Sequence, residues 1–283
     1  MYVLREQSLW DALQDCEPIT STQMVCEFRD DTGGGIPPMG LNPWGDPFGG
    51  GCGGGGSGDD GYEYPEPPEN TPCEKIKTQN TNTRYKEKLK FLKEKTSANY
   101  ESGFRVGNPI AGSGQTEAQF QQLSNFPGTP YIDFRIFNNT FGMMHSHYTG
   151  LVPMFSPDDI NNFIKMLINA SHNGIPLDTV YMTLVNPDGT TYQLWGSNSI
   201  DINSLSIFDQ TVIDEKLNKS YKKEYGLETL NQSPQSFQEN FIKFMKDKMN
   251  VSGAKMYSIN DEGNASQLTV SGGSLNFPTP CPN

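Results

Sequence analysis

FGMMHSHYTGLVPMFSPDDINNFIKMLINASHNG, Phe141–Gly174, changes its period part-way along. The first eight residues read as a strand, and in a strand residues i and i+2 share a face. His145 and His147 therefore stand side by side, with Ser146 turned the other way. From Ser156 onward the apolar residues Ile160, Phe163, Ile164, Leu167 and Ile168 fall at helical spacing. Ser156 suits the N-cap, Pro157 the first helical position and Gly174 the stop. The reading is a strand carrying two imidazoles, a loop, and a capped amphipathic helix.

Working outward from this unit, the pattern stays mixed. Upstream, YIDFRIFNN (Tyr131–Asn139) alternates Ile132, Phe134 and Ile136 with polar residues and predicts a strand. ESGFRVG (Glu101–Gly107) predicts another. TNTRYKEKLKFLKEKT (Thr81–Thr96) sets Tyr85, Leu89 and Leu92 among Lys and Glu, an amphipathic helix. Downstream, two β-rich runs flank Asn186-Pro187-Asp188-Gly189, a hairpin signal. Lys-rich and Phe-rich helices are expected near 212–225 and 234–249, and a last strand pair in AKMYSINDEGNASQLTV (Ala254–Val270). Helices interleaved with strands and hairpins predict an α+β domain, layered α/β/α, over residues 73–283. His172, at the expected helix end, and Trp195, in the hairpin, read as structural.

Before the domain the composition is different. Residues 1–32 form a short mixed segment in which Leu4–Asp15 reads as a weakly amphipathic helix. Residues 33–72 are a Gly/Pro-rich acidic stretch: residues 33–61 alone hold 14 of the 29 glycines, too little apolar surface to offset the entropy of ordering. This stretch is read as a disordered linker. Of the net charge of -12, residues 1–70 carry -11, from 13 acidic and 2 basic side chains. The remainder has no basic surplus, which argues against a nucleic-acid partner. No run approaches the ~20 apolar residues of a membrane span, and no signal segment is visible at the start. The five cysteines form no CxxC pair. Cys73 and Cys281, at the two ends of the domain, are possible disulfide partners, a feature of oxidising compartments.

The chemistry rests on the paired histidines. Two imidazoles on one strand face suit two ligands of one zinc ion, and a catalytic zinc site takes three protein ligands and an open position. Asp158 and Asp159, at the start of the following helix, are the carboxylates that a folded-back loop would bring to the pair. Each residue also has a bland reading. Most His-x-His pairs are structural, and Ser-Pro-Asp-Asp is by itself a good helix N-terminus.

Taken together, these residues resemble the JAMM metalloproteases, the catalytic members of the MPN-domain family. That motif is an upstream Glu, then His-Ser/Thr-His, seven residues, Ser, two residues, Asp. This chain has Glu101, then His145-Ser146-His147, eight residues, Ser156, two residues and Asp159. The resemblance covers about residues 82–200. It implies a mixed sheet flanked by helices, zinc held by His145, His147 and Asp159, and Glu101 as the proton-transferring base. It gives Ser156, or Ser146, a place at the oxyanion, and implies hydrolysis of a peptide, isopeptide or related amide in a peptide or protein substrate. The loop between His147 and Ser156 is one residue longer than in that motif. Asp158 keeps the family's distance from His147, whereas Asp159 keeps its distance from Ser156 and is preferred. Tyr148 stands where a Pro often follows the second His. The Gly/Pro-rich leader and C-terminal Cys resemble exported Bacteroidetes proteins. Two other functions compete: a non-catalytic MPN-like scaffold or surface binding module, and another His-x-His metallopeptidase acting on cell wall. The latter needs a further upstream ligand, and the only other histidine, His172, lies downstream.

Overall fold

A computed structural model describes residues 71–110, 112–228 and 232–282. The expected Leu4–Asp15 helix, Cys16, Cys26 and Cys52 lie outside the described residues.

The chain opens with α1 (Pro72–Thr81) and α2 (Thr83–Lys95), two helices in immediate succession. Thr71 and Glu74 form a reciprocal capping box at the first, and the Asn82 side chain caps the second. Next come β1 (Ser102–Gly107), β2 (Gln119–Gln122) and β3 (Thr140–Ser146). Helix α3 (Pro157–His172) then leads to the hairpin β4 (Tyr181–Val185) and β5 (Thr191–Trp195). Helix α4 runs through Gln210–Val212, a π-helical Ile213–Leu217 and Asn218–Lys223, and α5 spans Pro234–Asp247. Strands β6 (Lys255–Ile259) and β7 (Ala265–Leu268), the two-residue pair β8 (Val270–Ser271) and β9 (Ser274–Leu275), and β10 (Thr279–Pro280) complete it.

Eight strands form one sheet in the order β10-β7-β6-β5-β4-β3-β1-β2. Every pairing is antiparallel except β3 with β4. Parallel neighbours require a crossover, and α3 provides it. The fold is thus α+β, with a mainly antiparallel sheet and five helices.

The pleat sends alternate residues into two cores. Met143, Met182, Leu184 and Leu194 join Ile160, Phe163 and Leu167 of α3 and Phe241 and Phe244 of α5. Met144, Tyr181, Val185 and Trp195 join Ile76 of α1 and Tyr85 and Leu92 of α2. Trp195 is buried and stacks on Tyr181 at 5.0 Å between ring centroids. Each such side chain contributes roughly 1.5–3 kcal/mol on burial. Cys73 at the start of α1 is bridged to Cys281 beside β10, closing the domain end to end.

Three local expectations change. The stretch expected as linker up to residue 72 ends in a helix cap, because Thr71 and Glu74 close a capping box that Gly/Pro counting overlooks. Tyr131–Asn139 is not a sheet strand: it makes one isolated bridge, Asn125 to Ile132. Polar Gln119–Gln122 takes the outer edge of β1, while Phe134 and Ile136 pack on the α3-side core. The alternation there records an extended segment lying against a core, without a ladder. The helix expected near 212–225 starts at Gln210 and contains a π turn.

Candidate metal centre

The centre sits where β3 ends and α3 begins. These are the carboxyl end of a parallel strand and the N-terminus of its crossover helix, where α/β sheets leave a crevice. Met143, His145 and His147 share the sheet face toward α3. His147 lies one residue past β3, and its N–H still donates to Val185 O at 2.9 Å. Ser146 faces away, its hydroxyl exchanging hydrogen bonds with the Ser102 backbone.

The close packing at His145 is set from β1. Gly103 lies directly opposite it. A Cβ on Gly103 would stand 2.8 Å from Met144 O, 2.8 Å from Ile132 Cδ1 and 3.3 Å from His145 Cβ. Glycine is what lets the ring seat against the sheet.

His145, His147 and Asp159 are buried and bring one ligand atom each to within 4.8 Å of one another. His145 Nε2 is 3.3 Å from Asp159 Oδ1, and His147 Nε2 is 3.8 Å from Asp159 Oδ2. Neither ring nitrogen of His145 has a hydrogen-bond partner among the described residues, although the residue is fully buried. His147 Nδ1 lies 2.8 Å from Val152 O. A carbonyl only accepts, so Nδ1 carries a proton, which leaves Nε2 as the nitrogen that faces Asp159.

Asp159 is held by the helix start. Its Oδ2 accepts from Ser156 N at 2.7 Å and Ser156 Oγ at 2.8 Å, while Asp159 N donates to Ser156 Oγ at 3.1 Å. Burial pushes this carboxyl up, but the His145 and His147 imidazoles outweigh it and hold the group well below the usual carboxylate range. Asp158 is directed elsewhere, accepting from Gln210 Nε2 at 2.9 Å. The structure therefore gathers Asp159, not Asp158, with the two histidines.

Glu101 precedes β1 by one residue. Extending the Ser102–Ser146 register by one step sets it opposite His147. Both line a cavity of about 870 Å³, together with Ser156, Asp158 and Asp159. Burial, reinforced by the charge of Asp159, pushes the Glu101 carboxyl up to about 7. Ile132 N donates to its Oε2 at 3.4 Å. Its backbone is clasped as well: Glu101 N donates to Pro130 O at 2.8 Å, and Asn125 Nδ2 bridges Glu101 O and Pro130 O, both at 3.0 Å.

Sequence reasoning missed the residues that support these groups. Val152 acts through its backbone carbonyl and Asn125 through its side-chain amide, both from loops that no periodicity reveals. Tyr131 lines the cavity and is half exposed, whereas the alternation around it pointed only to a strand. Helix α4 supplies Gln210, Asp214, Asn218 and Lys222 to the far wall. Their spacing of four was the available signal. An α-helix overshoots a full turn in four residues and a π turn falls short, so the π segment keeps this stripe on one face. Comparison with known proteins finds no matching family model, no matching curated protein and no matching solved structure.

Proposed function

We propose that the protein is a zinc-dependent hydrolase that cleaves a peptide, isopeptide or related amide bond. The observation that carries this reading is the buried cluster itself: His145 Nε2 lies 3.3 Å from Asp159 Oδ1 without a hydrogen bond, its Nδ1 has no hydrogen-bond partner among the described residues, and the His147 ring is fixed beside it. A buried polar group without a partner costs free energy, and a cation between these donors would recover it. Two imidazole nitrogens and one carboxylate oxygen, opening onto a cavity, are the donor set of a catalytic zinc site. The resemblance of Glu101, His145, His147, Ser156 and Asp159 to the JAMM motif supports the same reading.

When bound, the ion supplies a Lewis acid that polarises a carbonyl and brings the pKa of water to about 7. The chain's own groups do the rest. Glu101 takes one proton from the attacking water as its oxygen bonds to the carbonyl carbon. Glu101 then delivers that proton to the amide nitrogen as the C–N bond breaks, leaving a carboxylic acid and an amine with one water consumed. A carboxyl titrating near neutrality suits this shuttle. Ser156 acts through Asp159: its hydroxyl proton is committed to Oδ2, and serving an oxyanion would require breaking that bond. The cavity has an apolar side, with Phe126, Phe134 and Leu151, and a polar side on α4, which fits a peptide better than a small polar solute.

The test is hydrolysis of a defined set of internally quenched peptides and lysine-linked isopeptides by zinc-loaded protein. Turnover is expected in the wild type, with a loss of about 100-fold or more in Glu101→Gln that still holds zinc. A zinc-loaded wild type inert to the whole set would favour the scaffold function instead.

A further inference from the structure

Four side chains lining the cavity carry hydroxyl groups: Thr129, Tyr131, Ser156 and Tyr221. An acyl-transfer site needs a donor for the oxygen of the attacked carbonyl, where negative charge develops. Three of the four have committed their protons. Ser156 donates to Asp159 Oδ2 at 2.8 Å, Tyr221 to Phe155 O at 2.9 Å, and Thr129 to Phe126 O at 3.2 Å.

Tyr131 is differently placed. It adjoins Ile132, whose N–H binds Glu101 Oε2, so it stands on the Glu101 side of the cavity. The turn beneath it is fixed: Phe126 N donates to Tyr131 O at 3.0 Å, and Tyr131 N to Thr129 Oγ1 at 3.3 Å. The residue is 52% exposed, and its hydroxyl makes no bond to a carbonyl or carboxylate among the described residues. A cavity-lining phenol whose proton is not committed to a carbonyl or carboxylate can give it to a substrate oxygen and leave no buried acceptor unsatisfied.

We propose that Tyr131 donates the hydrogen bond that stabilises the carbonyl oxygen during amide cleavage, in the place the motif resemblance would give to Ser156. The inference rests on the zinc-hydrolase reading above. It makes Tyr131 a catalytic residue and Ser156 a positioning residue for Asp159.

The test separates the two layers by binding. Wild type and Tyr131→Phe are loaded with zinc, their metal content is measured, and each is titrated calorimetrically with phenylphosphonate, a tetrahedral oxyanion. Azide, which offers one donor atom to a metal and no tetrahedral oxygens, serves as the control. Tyr131→Phe is expected to bind zinc and azide as the wild type does, and to bind phenylphosphonate about tenfold more weakly. On any peptide the wild type cleaves, its kcat falls by about 100-fold with little change in KM. Equal phenylphosphonate affinity in the two zinc-loaded proteins, or none in either, overturns the role of Tyr131 alone. Failure of the wild type to take up zinc overturns the hydrolase reading and this inference together.

Discussion

Glu101 sets burial against charge. In the metal-free protein its carboxyl is raised from 4.5 to about 7. Between those values the folded chain keeps a proton that the unfolded chain releases. Its contribution to stability is therefore present below about 4.5 and lost as pH rises toward 7, at ~1.4 kcal/mol for each pH unit between the two values, or about 3 kcal/mol in all. Metal-free Glu101→Gln is thus expected to exceed metal-free wild type by about that amount at pH 8, read by urea denaturation. No gain at pH 8 would mean that Glu101 is not desolvated as described. Catalysis runs the other way, because only the carboxylate accepts a proton. Hydrolysis should rise with pH, and a bound cation moves the midpoint below about 7. The ligand candidates were legible residue by residue, since a period of two places His145 and His147 together and a helix cap aims Asp159. Tyr131, Val152 and Asn125 were not, because their roles come from loop conformation.

At the scale of elements, strands and helices with a clear period and a clear cap were legible. The shift in period at Ser156 marks α3 to the residue, down to Pro157 at its first position. The Asn186–Gly189 turn marks the β4–β5 hairpin. Where the two signals separate, the reading fails. Tyr131–Asn139 has the alternation of a strand, but the place beside β1 is taken, since Gln119–Gln122 pairs along its outer side. Gln119–Gln122 itself has almost no apolar pattern, and its place in the sheet is fixed by tertiary context. The π turn in α4 was equally silent in sequence, yet it holds four polar side chains on the cavity wall.

At the scale of the molecule, strand order could not be read from the chain, because it depends on which edges the crossover leaves free. The end-to-end bridge was readable only as one possible pairing. Cys73 and Cys281 are 208 positions apart, with Cα atoms 5.4 Å apart in the fold. A loop that long gives a chain-entropy stabilisation of up to about 5 kcal/mol. Cys73→Ser should therefore lower the thermal midpoint clearly under non-reducing conditions, and added reductant should lower the wild type to match. An unchanged midpoint would show that the bridge does not restrain the domain. The tie also fixes α1, which Lys75 anchors through Asp178 at 2.6 Å and Asn80 through Gly263 O at 2.6 Å.

We propose above all that His145, His147 and Asp159 hold one metal ion. The most direct measurement is metal content by mass spectrometry on protein purified without chelator or His-tag and then reconstituted, wild type beside His147→Ala. About one zinc per chain in the wild type and none in the variant is the expected result. No zinc in the wild type, or equal zinc in both, would mean that these three residues hold no metal and that the buried His145 ring serves only as a neighbour of Asp159.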